Sequence, residues 1–420
     1  MRALKAKTPL ALLFLALMGG CSPAPDDGNG PIELQFWNGF SGPDGKTMEK
    51  IVDGFNATHK DVQVKMQIIP WGTYYDKVTL GLAFGGAPDI FIIHANRIPE
   101  YASNDVLADL GPEVKAGDFP VDDFMPKQWR AGQYGGKQIG IPLDCHPLTF
   151  YYNKKLFREA GIAEPPKTWD EFIADGKKLT MQKTGADGVP YTQWGFSFTF
   201  LGDNVPAFLN QYGTAFLTPD LSKGAMDTPE TKAAVDRMVS IWKTCKIAPK
   251  PEGQDAWVGF LTGKIAMAME GIYMKAGLDA QKDLEYAAAP VPMFGTKRAV
   301  WGGSHIMCTP ANEPERRRKA VVELMRYLSD HSLSWAEGGQ VPIRKSILAS
   351  EAFKKLPVQV EASKQLDYVQ YEPASPSWNQ LSSFGNAAME ACLNELEPRD
   401  EALATAQRRI DRILTLEAAK

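Results

Sequence analysis

Residues 32–68 read IELQFWNGFSGPDGKTMEKIVDGFNATHKDVQVKMQI, and this stretch decides the fold class. Ile32, Leu34 and Phe36 alternate with Glu33, Gln35 and Trp37, the period-two pattern of a strand with one buried face. Ser41-Gly-Pro-Asp-Gly45 is turn chemistry. Beyond it Met48, Ile51, Val52 and Phe55 recur at helical spacing, and Val62, Val64, Met66 and Ile68 alternate again as a second strand. A helical stretch around Tyr75 to Phe84 and the apolar run Ile90-Phe-Ile-Ile93 extend the pattern to βαβαβ. The expected fold is therefore α/β, with a parallel sheet covered by helices on its faces.

Downstream, Leu148-Thr-Phe-Tyr-Tyr152 reads as a strand, and Thr168 with Glu171 three residues later forms a capping box that opens a helix. Val235, Met238, Val239 and Trp242 predict another helix, as do Val321, Leu324, Met325 and Leu328. The last third is mainly helical through Leu403 to Leu414, and no internal repeat of 20 to 50 residues is visible.

Upstream, Arg2, Lys5 and Lys7 precede the apolar run Leu10 to Met18, followed by Gly19-Gly20 and Cys21. This is a signal peptide over residues 1–20, too short in its apolar run to span a bilayer. Cys21 after a small-residue pair resembles a bacterial lipoprotein processing site, which makes it the expected lipidation site. Leu17 lies one place further from the cysteine than that pattern has it, which leaves cleavage by the ordinary signal peptidase open. Residues 21–30, rich in Pro, Gly, Asp and Asn, suit a flexible tether between an anchor and a domain. No later segment is apolar enough for a transmembrane helix. The 420 residues are 44% apolar and 23% charged, an ordinary globular composition, and a net charge of -4 spread along the chain gives nucleic acid no attractive surface. Cys145, Cys245, Cys308 and Cys392 contain no CxxC pair and are compatible with zero, one or two disulfides.

Six spaced motifs carry a resemblance over nearly all of the mature chain. They are Phe36-Trp37-Asn38; Phe55-Asn56-Ala57-Thr58-His59; Gly86-Ala87-Pro88-Asp89-Ile90; Tyr151-Tyr152-Asn153-Lys154 with Pro165-Pro166-Lys167-Thr168-Trp169; Phe260 to Met267; and the Gly302-Gly303 pair. In this order they resemble the extracellular solute-binding proteins of ABC importers, in the branch of the maltose-binding and glycerol-3-phosphate-binding proteins. The resemblance implies a periplasmic-binding-protein-like fold: two discontinuous α/β lobes, a hinge and an interlobe ligand cleft. Chain crossings are expected near Ile141 to Tyr151, near Ala287 to Met293 and near Asp330, giving one lobe from 31–143 plus 291–330 and a second from 144–290 plus 331–420.

The resemblance also places ligand contacts. Trp37 and Asn38, Trp71 and His94 follow successive strands, where open α/β sheets bind ligands, and Trp301 stands beside Gly302 and Gly303. Asp144 and His146 match polar contacts in the first crossing, while Glu270, Gly271, Tyr273, Gln340 and Trp378 match places in the second lobe. Aromatic faces stack on sugar C–H surfaces, and Asp144 and Glu270 would accept hydrogen bonds from adjacent hydroxyls, so a mono- or oligosaccharide is the expected ligand. Phosphate would need a cluster of arginines or amides, and Trp378-Asn379 stand where the glycerol-phosphate binder has an arginine. Arg344 is available as a charged contact, although a structural or lobe-bridging place suits it better.

These readings imply an extracytoplasmic, membrane-anchored, monomeric binding lipoprotein that delivers sugar to an ABC permease, without a cofactor and without catalysis. The alternatives are a binder of a glycerol-phosphate-type or other polyol solute and a secreted carbohydrate-active enzyme. His94, His146 and His305 fall near the expected cleft and with Cys145, Cys308 and Asp144 could form a metal site, but the sequence holds no HxxxH or CxxC ligand pair and no metal is expected.

Overall fold

The computed structural model describes residues 30–251 and 255–418, so the expected signal peptide, Cys21 and most of the expected tether lie outside the described residues. The opening βαβαβ forms as read: β1 (Ile32–Asn38), α1 (Pro43–Thr58), β2 (Val62–Ile68), α2 (Trp71–Phe84) and β3 (Ile90–His94). β1 runs parallel to β2 and to β3. Leu34 and Phe36 are fully buried with Met48, Val52 and Phe55 of α1, each contributing about 1.5–3 kcal/mol by leaving water. Pro43 starts α1 at a position where its missing N–H costs nothing.

The chain builds two sheets. The first has the order β2-β1-β3, then His305–Cys308, then Ile141–Pro142, the last two strands antiparallel to their neighbours. The second has the order Val369–Gln370, Val300–Gly303, His146–Asn153, Ile265–Gly271, Pro190–Phe198 and Met181–Thr184, with Tyr286–Ala289 also paired to His146–Asn153. Each sheet is the centre of one lobe. Thr168 caps the helix Trp169–Leu179 through the expected box with Glu171, and the helices Pro229–Lys243 and Glu315–Asp330 bury the apolar positions read from spacing.

The first passage between sheets falls between Pro142 and His146, inside the expected stretch. The other two lie elsewhere. Ala287 to Met293 begins in a strand paired to Tyr151 and Tyr152 and stays with the second sheet, and the chain changes sheets between Gly303 and His305. Nor does it leave at Asp330, because the helix Ser332–Glu337 packs back on α1 and the third passage lies between Val341 and Pro357. The three passages run side by side: Val341 and Cys145 exchange backbone hydrogen bonds at 2.9 and 3.1 Å, and Leu143 donates to the His305 carbonyl at 2.8 Å. Arg344 is structural, bound to Asp123 at 2.6 Å and Asp330 at 2.8 Å with its guanidinium over Phe124. The four cysteines from Cys145 onward are free thiols.

Candidate functional site

The cleft between the lobes has a volume of about 990 Å³ and adjoins a second cavity of about 740 Å³, with Asn96, Asp203, Trp301, Tyr371, Glu372 and Asn379 shared between them. Its first wall comes from strand ends. Trp71, the first residue of α2, sits edge-on to Phe40 at 6.2 Å and stacks on His305 at 6.1 Å. One turn later, Tyr75 takes the backbone N–H of His94 on its hydroxyl at 3.1 Å and meets His94 Nδ1 at 2.5 Å. Arg97 lies over the Tyr75 ring and is ion-paired with Glu100 at 3.0 Å.

The floor is the crossing region. Asp144 is fully buried; its carboxylate accepts the His305 N–H at 3.0 Å, His305 Nδ1 at 2.7 Å and Trp335 Nε1 at 2.7 Å. Burial would push this carboxyl up, but the His305 and His146 imidazoles outweigh it and hold Asp144 well below the usual carboxylate range. Burial pushes His94 well below its ordinary value, helped by His305 and His146, and His146 is lowered for the same first reason despite Asp144. Both rings are therefore neutral near pH 7. Glycine makes two close approaches possible: a Cβ on Gly303 would sit 2.1 Å from His146 Nε2, and one on Gly271 would sit 2.0 Å from the Tyr273 ring.

The second wall is acidic and aromatic. Tyr273 donates to Asp203 at 2.9 Å, and burial, reinforced by Glu270 and Glu372, raises Asp203 well above the ordinary carboxylate value. Glu372 accepts Trp378 Nε1 at 2.9 Å and Asn96 Nδ2, with the Trp301 indole also facing it, and burial raises its pKa. Asn96 follows β3 and Glu372 follows Val369–Gln370, so this contact joins the lobes; Asn379 donating to Glu100 at 2.7 Å is a second bridge.

Of the expected contacts, Trp71, His94, His146, Tyr273, Trp301, Gly302, Gly303 and Gln340 line the cleft, and Trp378 lines the adjoining cavity. Gln340 is fully buried and neither polar atom of its amide has a partner among the described residues.

The other five sit elsewhere. Trp37 points to the opposite face of β1, where Lys77 lies 4.3 Å over its ring. Asn38 closes the following turn by accepting Phe40 N–H at 3.1 Å. Asp144 lies beneath the floor with both oxygens occupied, and so offers none to a sugar. Glu270 faces a separate depression with Thr199 and Trp257, and its carboxylate accepts the Gly271 N–H at 3.1 Å. Gly271 acts as the seat for Tyr273. Tyr75, Asn96, Asp203 and Glu372 were missed. Glu372 stands in the Tyr371-Glu-Pro-Ala-Ser-Pro376 loop ahead of Trp378, a Pro-rich loop that could have pointed to it; Asp203 carries no local signal.

The sequence profile of the bacterial extracellular solute-binding proteins matches residues 39–332. The diacetylchitobiose binding protein DasA of Streptomyces coelicolor is 29% identical over 331 residues, 74% of this chain and 75% of that one. Among solved structures, the cyclic alpha-maltosyl-1,6-maltose binding protein of Arthrobacter globiformis aligns with a TM-score of 0.78 at 24% identity, covering 92% of this chain and 99% of that one. UgpB of Mycobacterium tuberculosis in complex with glycerophosphocholine aligns with a TM-score of 0.78 at 20% identity, covering 93% of this chain and all of that one. The two-lobed fold and the profile match together place this chain in the bacterial extracellular solute-binding protein family.

Proposed function

We propose that this chain captures a neutral saccharide of two or more rings between its lobes and hands it to an ABC permease, without breaking a bond in it. The observation that carries this reading is the composition of the cleft: Trp71, Tyr273 and Trp301 offer stacking faces, and Asp203, Glu372 and Gln340 offer hydrogen-bonding groups. Its volume stands at the upper end of the ~300–1,000 Å³ typical of small-molecule sites, and the adjoining cavity gives room for further rings. Phosphate finds little support, because Arg97, the arginine lining the cleft, is already ion-paired and stacked.

One observation favours a second ligand class. Trp301 and Trp378 around Glu372 would also suit a quaternary ammonium, so a glycerophosphodiester with a choline head belongs among the test ligands. Ligand contact with both walls would favour a closed arrangement of the lobes about the three side-by-side passages. Lipid attachment at Cys21 would hold the monomeric protein at the outer face of a membrane with its cleft free.

The test is a thermal-shift screen of the mature chain against mono- and oligosaccharides, polyols and glycerophosphodiesters, since a ligand that binds the folded state raises Tm. An oligosaccharide that raises Tm and is recovered intact fits the proposal. Hydrolysis of that sugar, abolished by Glu372→Gln, would establish an enzyme instead. A Cys21→Ser chain still pelleting with membranes would remove the anchor.

A further inference from the structure

Three of the five histidines in the chain meet at the floor of the cleft, although they lie far apart in sequence. One ligand atom from each of His94, His146 and His305 falls within 4.8 Å of the others. The ring centroids are 4.6 Å apart for His146 and His305, 5.0 Å for His94 and His305, and 5.9 Å for His94 and His146. Three imidazoles around a tetrahedral zinc, with Zn–N near 2.0–2.1 Å, place their centroids roughly 5 Å apart. Small side-chain rotations would bring this cluster to that geometry.

The surroundings are those of a metal site. A histidine that binds metal usually donates its other ring N–H to a carboxylate or carbonyl, which sets its tautomer and orientation. Here His305 Nδ1 faces Asp144 at 2.7 Å and His94 Nδ1 faces the Tyr75 hydroxyl at 2.5 Å, so in the Nδ1–H tautomers both Nε2 atoms keep a lone pair. His146 has the same carboxylate beside it: its side chain is 4% exposed and its Nδ1 lies 3.5 Å from Asp144. Asp144, fully buried beneath two of the rings, adds the negative charge that a cation there would use.

We propose that His94, His146 and His305 hold a divalent transition cation of the zinc class at the floor of the cleft, with Asp144 and Tyr75 as the outer shell. All three rings line the cleft, so the fourth coordination position opens toward the bound solute, where water or a solute oxygen would fill it. His94 and His305 belong to the first sheet and His146 to the second, so the cation would tie the two lobes together at the passages. The inference does not depend on which solute the cleft takes.

The test uses the full mature chain, purified without a polyhistidine tag and stripped by a chelator. Titration with ZnCl₂ followed by calorimetry is expected to show one equivalent bound, and Co²⁺ is expected to give the intense visible absorption of a four-coordinate site. His94→Gln, His146→Gln and His305→Gln should each weaken binding at least 100-fold, and Asp144→Asn about 10- to 100-fold. X-ray absorption on the zinc-loaded wild-type chain should show three imidazole ligands, a readout that needs no variant to fold. Absence of saturable binding by the wild-type chain, a sulfur ligand in the absorption spectrum, or full binding by a folded triple Gln variant would each overturn the proposal. The sugar screen is scored separately on the metal-free chain, so failure of either leaves the other standing.

Discussion

The two walls of the cleft are built by different means. On the first lobe, Trp71, Tyr75 and His94 stand at the ends of successive parallel strands and the helix between them, backed by a buried carboxylate, Asp144. On the second, Asp203, Tyr273, Trp301 and Glu372 come from a helix start, a turn after a strand, an edge-proximal strand and a Pro-rich loop. The first wall is fixed by hydrogen bonds inside the floor. The second carries its acids toward the cavity and contacts the other lobe through Asn96–Glu372 and Glu100–Asn379. On the function proposed above, the contrast suits the first wall to rigidity and the second to solute recognition.

The sharpest way to break that contrast is to remove an aromatic face from the second wall. Trp301→Ala is expected to weaken the best ligand of the screen by about 100-fold, close to 3 kcal/mol, the loss typical of a buried aromatic anchor. Calorimetry measures it, with far-UV circular dichroism to confirm the fold. An equal loss in Trp71→Ala, with little change in Trp301→Ala, would reverse the assignment.

The next effect belongs to the first wall and should appear in stability. Asp144→Asn puts an amide NH₂ against the His305 and Trp335 donors, leaving a buried donor unsatisfied, and should cost about 2 kcal/mol in denaturant unfolding. The same change is expected to bring pH dependence into view. In the wild type the depressed Asp144 pKa contributes stability that is present above the unfolded value near 3.9 and is lost as pH falls toward the lower folded value. Melts between pH 3 and 7 in which the two chains converge at the acid end would confirm the sign. A constant gap would refute it.

Asp203 should behave in the opposite way. Its folded-state pKa is raised, so the wild type loses stability as pH climbs from the ordinary carboxylate range through that raised value. Asp203→Asn retains an acceptor for the Tyr273 hydroxyl without the buried charge and is expected to raise Tm at neutral pH by about 2–4 °C, the shift that ~1 kcal/mol produces in a lobe-sized unit. The gain should shrink toward pH 4. A destabilised Asp203→Asn chain at pH 7 would show that the charge itself holds the wall in place.

The same contrast explains how much could be read before the structure. β1, α1, β2 and β3 were legible because local periodicity sets them, and Trp71 and His94 were legible because strand ends in a parallel sheet open on the ligand side. Asp203 and Glu372 were not, since long-range topology brings them to the cleft and neither spacing nor capping marks them. The second crossing was misplaced for a related reason. The strand Tyr286–Ala289 and the strand Val300–Gly303 both pair with His146–Asn153, and nothing in either run indicates which sheet it joins. The three histidines are placed near the cleft by the resemblance, but no local motif marks them as a cluster, because three different strands each supply one ring.

The smallest expected effect tests the finest point of the reading. Trp37 ends β1 at the place expected to meet ligand, yet one residue of register decides which face a strand residue takes. Phe36 and Asn38 are buried on the side of α1, which turns Trp37 toward Lys77 and the cluster containing Tyr74 and Val78. Trp37→Ala should therefore lower stability by removing packing while changing ligand affinity by less than about 0.5 kcal/mol, the scatter expected for sites that share no partners. Calorimetry on the folded variant decides the matter. If Trp37→Ala binds the ligand as weakly as Trp301→Ala, the ligand reaches past the first wall, and the division of labour between the walls fails.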